Sequence, residues 1–400
     1  GWVLIRAAVV MGLLAISCSG PGPAPFDSSY IFDQAELRTY ELNLSEEALA
    51  TLDANPAAEQ YVEGSLTFEG TTIEPVGIRY KGSIGAFVGC LSGRDWTRPS
   101  GEKTCTKVPM KVKINWTDPD AEFYGLRKLL FHAQNLDPTQ LHERLGYWLL
   151  REMGVPAPRS VHARVILNGE YLGLFALTEE IDGRFTRETF RDGTGNLYKE
   201  VWPITNTGEV RAESGLIEAL ITNENQDPDI EMIRLFAADV LDSGDPAGAV
   251  ARWMNMDEVL AMAVVDRAIR NDDGVFHWYC DRECLPHNYF WYEEPTARTM
   301  HLIPWDLDNT FENIVVDVNP VTPIKDAFGE ITNDCRPFSH GFLRIRQRSA
   351  ACDPIIGAWA EFDAQYREKV SEFVEGPFSP ERLDEVLTAW TNQIADATLE

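Results

Sequence analysis

Asp306 and Asp308 stand two residues apart, with Asn309 beside them, just past the short apolar run Met300–Ile303. Oxygen ligands of this kind suit a hard cation such as magnesium or calcium. Pro304 ends any ladder, so the stretch reads as a buried strand that delivers two carboxylates at its carboxyl end. Alone, an Asp-x-Asp pair is more often a polar turn with a helix cap, but its company alters that balance. Asn271-Asp272-Asp273 closes an apolar segment, and His287-Asn288 opens the aromatic run Tyr289–Tyr292 that leads to Met300. Carboxylates at the carboxyl end of a helix oppose its macrodipole. Asp272 and Asp273 therefore need another reason to be there, and a bound cation or the proton of an incoming hydroxyl supplies one.

These residues need rigid elements behind them. Asp257–Ile269 is strongly apolar, with Val259, Leu260, Met262, Ala263, Val264 and Val265, and predicts a buried helix that delivers Arg270–Asp273 at its end. Asp137-Pro138 predicts the start of another, since Asp caps and Pro suits the first turn. Leu141, Leu145, Trp148 and Leu149 then recur at helical spacing, Gly154 and Pro156 end the segment, and Glu143 and Arg144 fall off its apolar stripe. Val76, Ile78 and Tyr80 alternate with Gly77, Arg79 and Lys81, the period of a half-buried strand. The small-residue loop Gly82–Phe87 follows. Its amides could approach phosphate, although neither G-x-x-x-x-G-K-[ST] nor G-x-G-x-x-G is present. Lys107–Asn115 predicts a strand with Val108, Met110, Val112 and Ile114 on one face and Lys107, Lys111 and Lys113 on the other. Arg164–Leu177 predicts two strands joined by a type I′ turn at Asn168-Gly169. From about Gly183 onward the pattern is mostly helical.

With 35 Lys and Arg against 63 Asp and Glu, the formal net charge of −28 argues against nucleic acid or an anionic membrane as a main partner. The amino terminus reads as export. Ala7–Ile16 is an apolar core too short to span a bilayer. Ala15-Ile16-Ser17-Cys18 resembles a bacterial lipobox, so the expectation is a signal peptide over 1–17, a lipid on Cys18 and a tether over 18–35, through which alone the protein meets the membrane. Of the 7 cysteines, the other six fall into local pairs along the chain: Cys90 with Cys105, Cys280 with Cys284, and Cys335 with Cys352. Disulfides are expected in an oxidising compartment, and a structural zinc site lacks its usual C-x-x-C pairs.

Taken in order, the motifs resemble those of the spore coat protein H (CotH) kinase family. The matching pieces are Gly77–Ser83, Lys107–Ile114, Gly154–Arg159, Leu167–Phe175, Asn196–Lys199, Asn271 with Asp273, His287-Asn288, and Ile303–Asp308 with Phe311. The resemblance runs from about Tyr40 to the end of the chain. It implies an α+β, atypical protein-kinase-like fold of two lobes, β-rich over 36–182 and mainly helical over 183–400. The implied activity is transfer of the ATP γ-phosphoryl group to a protein Ser or Thr hydroxyl, with Mg²⁺ or Mn²⁺.

By the logic of such a site, Asp273 is the catalytic carboxylate, with Asp272 and Asp281 as alternates because the stretch from Asp273 to Asn288 is longer than in protein kinases. Asn288 and Asp306 are the metal ligands, with Asp308 auxiliary. Lys111, with Lys107 as runner-up, holds the phosphates, and Glu143 is its helix partner. Glu180 sits where a hinge meets adenine, and sequence alone does not separate it from Glu179. Two other classes fit the same residues. One is a surface adhesion protein that has lost catalysis on this fold. The other is a calcium-stabilised domain using Asp306, Asp308, Asn309 and Glu312.

Overall fold

The structure is a computed structural model that describes residues 27–95, 97–224, 227–311, 329–340 and 344–399. The signal peptide, Cys18, the first part of the tether and Glu312 lie outside the described residues. Residues 27–35, expected in the tether, instead turn onto the first lobe. Ile31 and Phe32 are too large and apolar to leave in water, and both are buried there.

The first lobe is a closed barrel. It is built from β1 (Arg38–Asn43), β2 (Val62–Phe68), β3 (Thr71–Tyr80), β4 (Met110–Lys113), β5 (Lys128–His132), β6 (Ser160–Leu167) and β7 (Glu170–Thr178). Their order is β1-β2-β3-β4-β5-β7-β6, and β6 closes the barrel by pairing parallel to β1. Alternation fills it: Val76, Ile78, Tyr80, Met110, Val112, Leu129 and Phe131 share one buried core. The intervening residues face outward, and Leu130 packs with Phe290, Ile303 and Trp305 of the second lobe. The β6–β7 turn has Asn168 and Gly169 at φ of 52° and 82°, as a type I′ turn requires. Helix α1 (Glu46–Ala54) lies outside this barrel, capped by Ser45.

Helix α2 (His142–Glu152) begins five residues after the expected cap. Asp137 still holds its start, accepting from His142 N at 2.8 Å. Although α2 lies among the barrel strands in sequence, Leu145, Tyr147, Leu149 and Leu150 join the core of the second lobe.

That second core surrounds α7 (Met256–Ala268), reached through α3 (Gly183–Thr189), β8 (Leu197–Lys199), α4 (Glu213–Glu218), α5 (Glu231–Asp242) and α6 (Pro246–Trp253). Beyond α7 come β9 (Trp278–Cys280), β10 (Cys284–Leu285), β11 (Tyr289–Glu294) and β12 (Thr299–Pro304). The chain continues through β13 (Phe338–His340), β14 (Ile345–Arg348), α8 (Pro354–Trp359), α9 (Asp363–Glu375) and α10 (Pro380–Leu399). Strands β8, β11 and β12 form one sheet, and β10, β9, β14 and β13 another. Trp202, Trp278, Trp291 and Trp359 are all fully buried in this core. The chain is thus α+β, with a separate core in each lobe. Cys90–Cys105, Cys280–Cys284 and Cys335–Cys352 are disulfides, which an extracytoplasmic location allows.

Candidate active site

Helix α7 ends because Arg270 turns left-handed, at φ 57°. Beyond it Asn271 is buried, donating through Nδ2 to Asp266 Oδ2 at 2.8 Å. Gly274 packs against that pair; a Cβ there would stand 2.4 Å from Asn271 Nδ2 and 2.6 Å from Asp266 Oδ2. This fixes the turn that carries Asp273. The stretch closed by Cys280–Cys284 leaves the site and returns to it, and Asn288 Nδ2 donates to Asp273 Oδ2 at 2.8 Å and to Asp273 O at 3.1 Å. The long separation in sequence is undone in space.

The second carboxylate loop is tied to the first through the backbone. Asp272 N donates to Asn309 O at 3.2 Å and Phe311 N to Ile269 O at 2.5 Å. Trp305 N donates to Asn288 O at 2.9 Å. Asp306 itself is left-handed, φ 54°, a conformation uncommon outside glycine. It is held there by Tyr147 of α2, whose Oη accepts from Asp306 N at 2.9 Å. Gly146 lets the helix come this close, since a Cβ on it would stand 2.9 Å from Leu307 Cδ1.

Charge is concentrated here. Burial pushes the Asp273 carboxyl up to about 7, helped by the charge of Asp306. Burial likewise raises Asp306, and Asp308 still further, with Asp306, Glu143 and Asp273 adding repulsion. Among the described residues neither Asp306 nor Asp308 receives a hydrogen bond on its carboxylate. Nor do three or more His, Cys, Asp or Glu side chains converge there into a ready-made metal cage. The donor set nonetheless fits magnesium, which is ordinarily held by one or two carboxylates while phosphate and water complete its shell.

The first lobe contributes the positive side, though not with the expected partners. Lys111 Nζ lies 2.7 Å from Glu180 Oε1, and Lys128 Nζ reaches the same carboxylate at 3.2 Å. The pairing of Lys111 with Glu143 does not form. Lys111 lies on the outer face opposite Arg79 and Leu130, and Glu180 follows β7 directly. Lys107 Nζ is engaged by Leu174 O at 2.5 Å, and burial lowers its pKa to about 8. Glu179 is tied to Arg159 and Arg184.

The lysine whose charge acts on Asp306 is Lys81, just after β3. Its Nζ lies 3.0 Å from His132 Nε2, and His132 Nδ1 lies 2.6 Å from Glu143 Oε1. Thr178 Oγ1 donates to the same oxygen at 2.8 Å. Burial alone would raise the Glu143 carboxyl, but contact with His132 and Thr178 and the charge of Lys81 hold it below its usual value. Lys199 also acts electrostatically on Asp306, from β8. Sequence reasoning missed Lys81, His132, Lys199 and Tyr147 as site residues. Lys81 and Lys199 sat within motifs already noted, and His132 ends a strand whose preceding residues are apolar.

The family described as CotH kinase protein matches residues 78–400. The chain belongs to the CotH kinase family. Invasin CotH7 of Rhizopus delemar is 26% identical over 171 residues, which take in 40% of this chain and 28% of that one. This CotH-family chain therefore spans well under two thirds of that relative. A solved structure, the Helicobacter pylori proinflammatory kinase CtkA, is 10% identical with a TM-score of 0.20, over 84% of this chain and 91% of its own.

Proposed function

We propose that this protein is an exported, ATP-dependent protein kinase that phosphorylates Ser or Thr hydroxyls on a protein substrate. The observation that carries the reading is the convergence of Asp273, bonded to Asn288, with Asp306 and Asp308 on loops tied to each other, facing Lys81 of the other lobe. Asp273 accepts the hydroxyl proton as the acceptor oxygen bonds to the γ-phosphorus. The bond from phosphorus to the β–γ bridging oxygen breaks, and ADP leaves. Lys81, rather than Lys111, is the cation positioned for the phosphates, because Lys111 is neutralised by Glu180. Asn288, Asp306 and Asp308 would hold Mg²⁺ or Mn²⁺, which supplies charge neutralisation on the phosphates. Glu180 and Glu179 stand just beyond β7, where the chain passes from the first lobe to the second, and adenine is proposed to bind beside them. Lipidation at Cys18 is proposed as the membrane attachment.

Two variants separate the roles. Asp306→Ala should abolish metal-dependent ATP binding and turnover together. Asp273→Ala should spare most ATP binding while transfer to a generic protein falls about 10²–10⁴-fold, the range for a lost general base. Wild-type transfer in Asp273→Ala would remove its catalytic role. The relative called an invasin favours a second reading, a surface-binding protein without catalysis. That reading gains if wild-type protein binds no ATP with either metal.

A further inference from the structure

In the kinase pattern a helix glutamate pairs directly with the phosphate-binding lysine. In this chain an imidazole stands between them. We propose that His132 is a positioning residue that carries the charge of Glu143 across to Lys81 and aims the ammonium into the cleft; the inference rests on the kinase reading above.

Three observations carry it. First, the distances make a continuous chain: 3.0 Å from Lys81 Nζ to His132 Nε2, then 2.6 Å from His132 Nδ1 to Glu143 Oε1. An ammonium has only donors, so Nε2 must accept. The ring proton then sits on Nδ1 and points at the carboxylate. Second, the chain is shielded from water. His132 is 6% exposed and Glu143 1%, and the ring edge of His132 meets Trp305 at 5.7 Å, immediately before Asp306. Third, the residues at both ends are held where the imidazole reaches them. Glu143 Oε1 receives both His132 and Thr178 while its Oε2 has no hydrogen-bond partner. Lys81 is placed by its own backbone, which donates to Pro109 O at 2.9 Å and extends the barrel ladder by one residue. From that position the lysine meets His132 on the far side of Pro109, and the imidazole spans the gap to α2 that a direct ion pair would have to close. The Nε2 contact takes one ammonium proton and leaves two for phosphate oxygens.

The test pairs a readout on resting protein with kinetics. Nitrogen-15 NMR of histidine-labelled wild-type protein, with the His132 signal assigned by its loss in His132→Gln, reports the tautomer without any turnover. The Nδ1–H tautomer is expected; an Nε2–H tautomer overturns the inference, because that nitrogen could not accept from Lys81. In kinetics, His132→Leu should lower kcat on the order of 10²-fold, the scale of a misplaced group, with KM for ATP changed by less than about threefold. His132→Gln, whose amide can accept at one atom and donate at the other, should recover most of kcat. Wild-type kcat in His132→Leu refutes the positioning role. Should the leucine variant fail to fold, the wild-type tautomer still decides. Should wild-type protein transfer no phosphate, the kinase reading fails, while the tautomer separately settles whether His132 links Glu143 to Lys81.

Discussion

Tyr147→Phe removes one oxygen atom and tests how the Asp306 loop is held. The ring stays in a well-packed core, since Tyr147 is 1% exposed. No charge is lost either, because burial raises the phenol pKa well above its usual value. What goes is the acceptor for Asp306 N at 2.9 Å. This N–H is part-buried, and leaving it without a partner costs up to about 1–3 kcal/mol. Asp306 also sits at φ 54°, a strained state worth roughly 1–3 kcal/mol that persists only while its surroundings impose it. If the loop keeps its shape, the loss appears as stability, and the melting temperature falls by a few degrees. If the loop relaxes, melting changes little and Mg²⁺-dependent ATP affinity drops roughly 5- to 150-fold, at about 1.4 kcal/mol per decade. Calorimetry in EDTA and a Mg²⁺ titration of the ATP-induced thermal shift measure the two together. A variant unchanged in both would refute the proposed brace.

Burial raises the carboxyls of Asp266, Glu293 and Asp353 to about 7 each. The folded chain therefore keeps protons that unfolded carboxyls release near pH 4. Stability should rise as pH falls from about 7.5 to 5.5 and be lost as pH climbs through 7. His162, lowered by burial to about 3, and His287, also lowered by burial, oppose this below about 6.5 but are two groups against three. Melting curves in EDTA should show a higher midpoint at pH 5.5 than at 8, with the slope reduced in Glu293→Gln; a flat or inverted profile contradicts the burial argument. Gly274→Ala should lower both melting temperature and transfer, because its Cβ would intrude on Asn271 Nδ2 at 2.4 Å and overpacking costs roughly 1–3 kcal/mol. Wild-type values for both would show that the turn tolerates a side chain.

What could be read from sequence was what is periodic or local. The alternation of Val76, Ile78 and Tyr80, the Asn168-Gly169 turn and the apolar run of α7 each depend on near neighbours, and each appears in the structure. The three cysteine pairs are local as well. Asp273, Asn288, Asp306 and Asp308 were legible because each follows or opens an apolar segment that fixes it. The cationic side was not. Choosing among Lys81, Lys107, Lys111 and Lys113 depends on which acid each one meets across strands. Glu180 captures Lys111 from 69 residues away, a contact set by the pairing of β7 beside β5 and of β5 beside β4, which no spacing announces. His132 belongs to no motif read from the sequence, and its contact with Glu143 exists only once α2 is folded against the barrel.

Helix α2 makes one body of these separate parts. Glu143 and Tyr147 lie one helical turn apart, so they share a face and stack along it. The first receives His132 and Thr178 of the barrel; the second receives the backbone of Asp306 from the other lobe. A shift of the helix along its axis moves both contacts by the same amount, so the lysine side and the carboxylate side of the cleft cannot drift independently. Leu145, Leu149 and Leu150 bury α2 in the second core. Arg144 fastens it from outside, donating to Gln34 at 2.7–3.0 Å and to Gln393 of α10 at 2.7 Å. Beside the packing of Leu130 on Phe290, Ile303 and Trp305, the two lobes are thus registered by a helix held near both termini of the described chain, and the same Gly146 that lets it approach Leu307 keeps that contact tight.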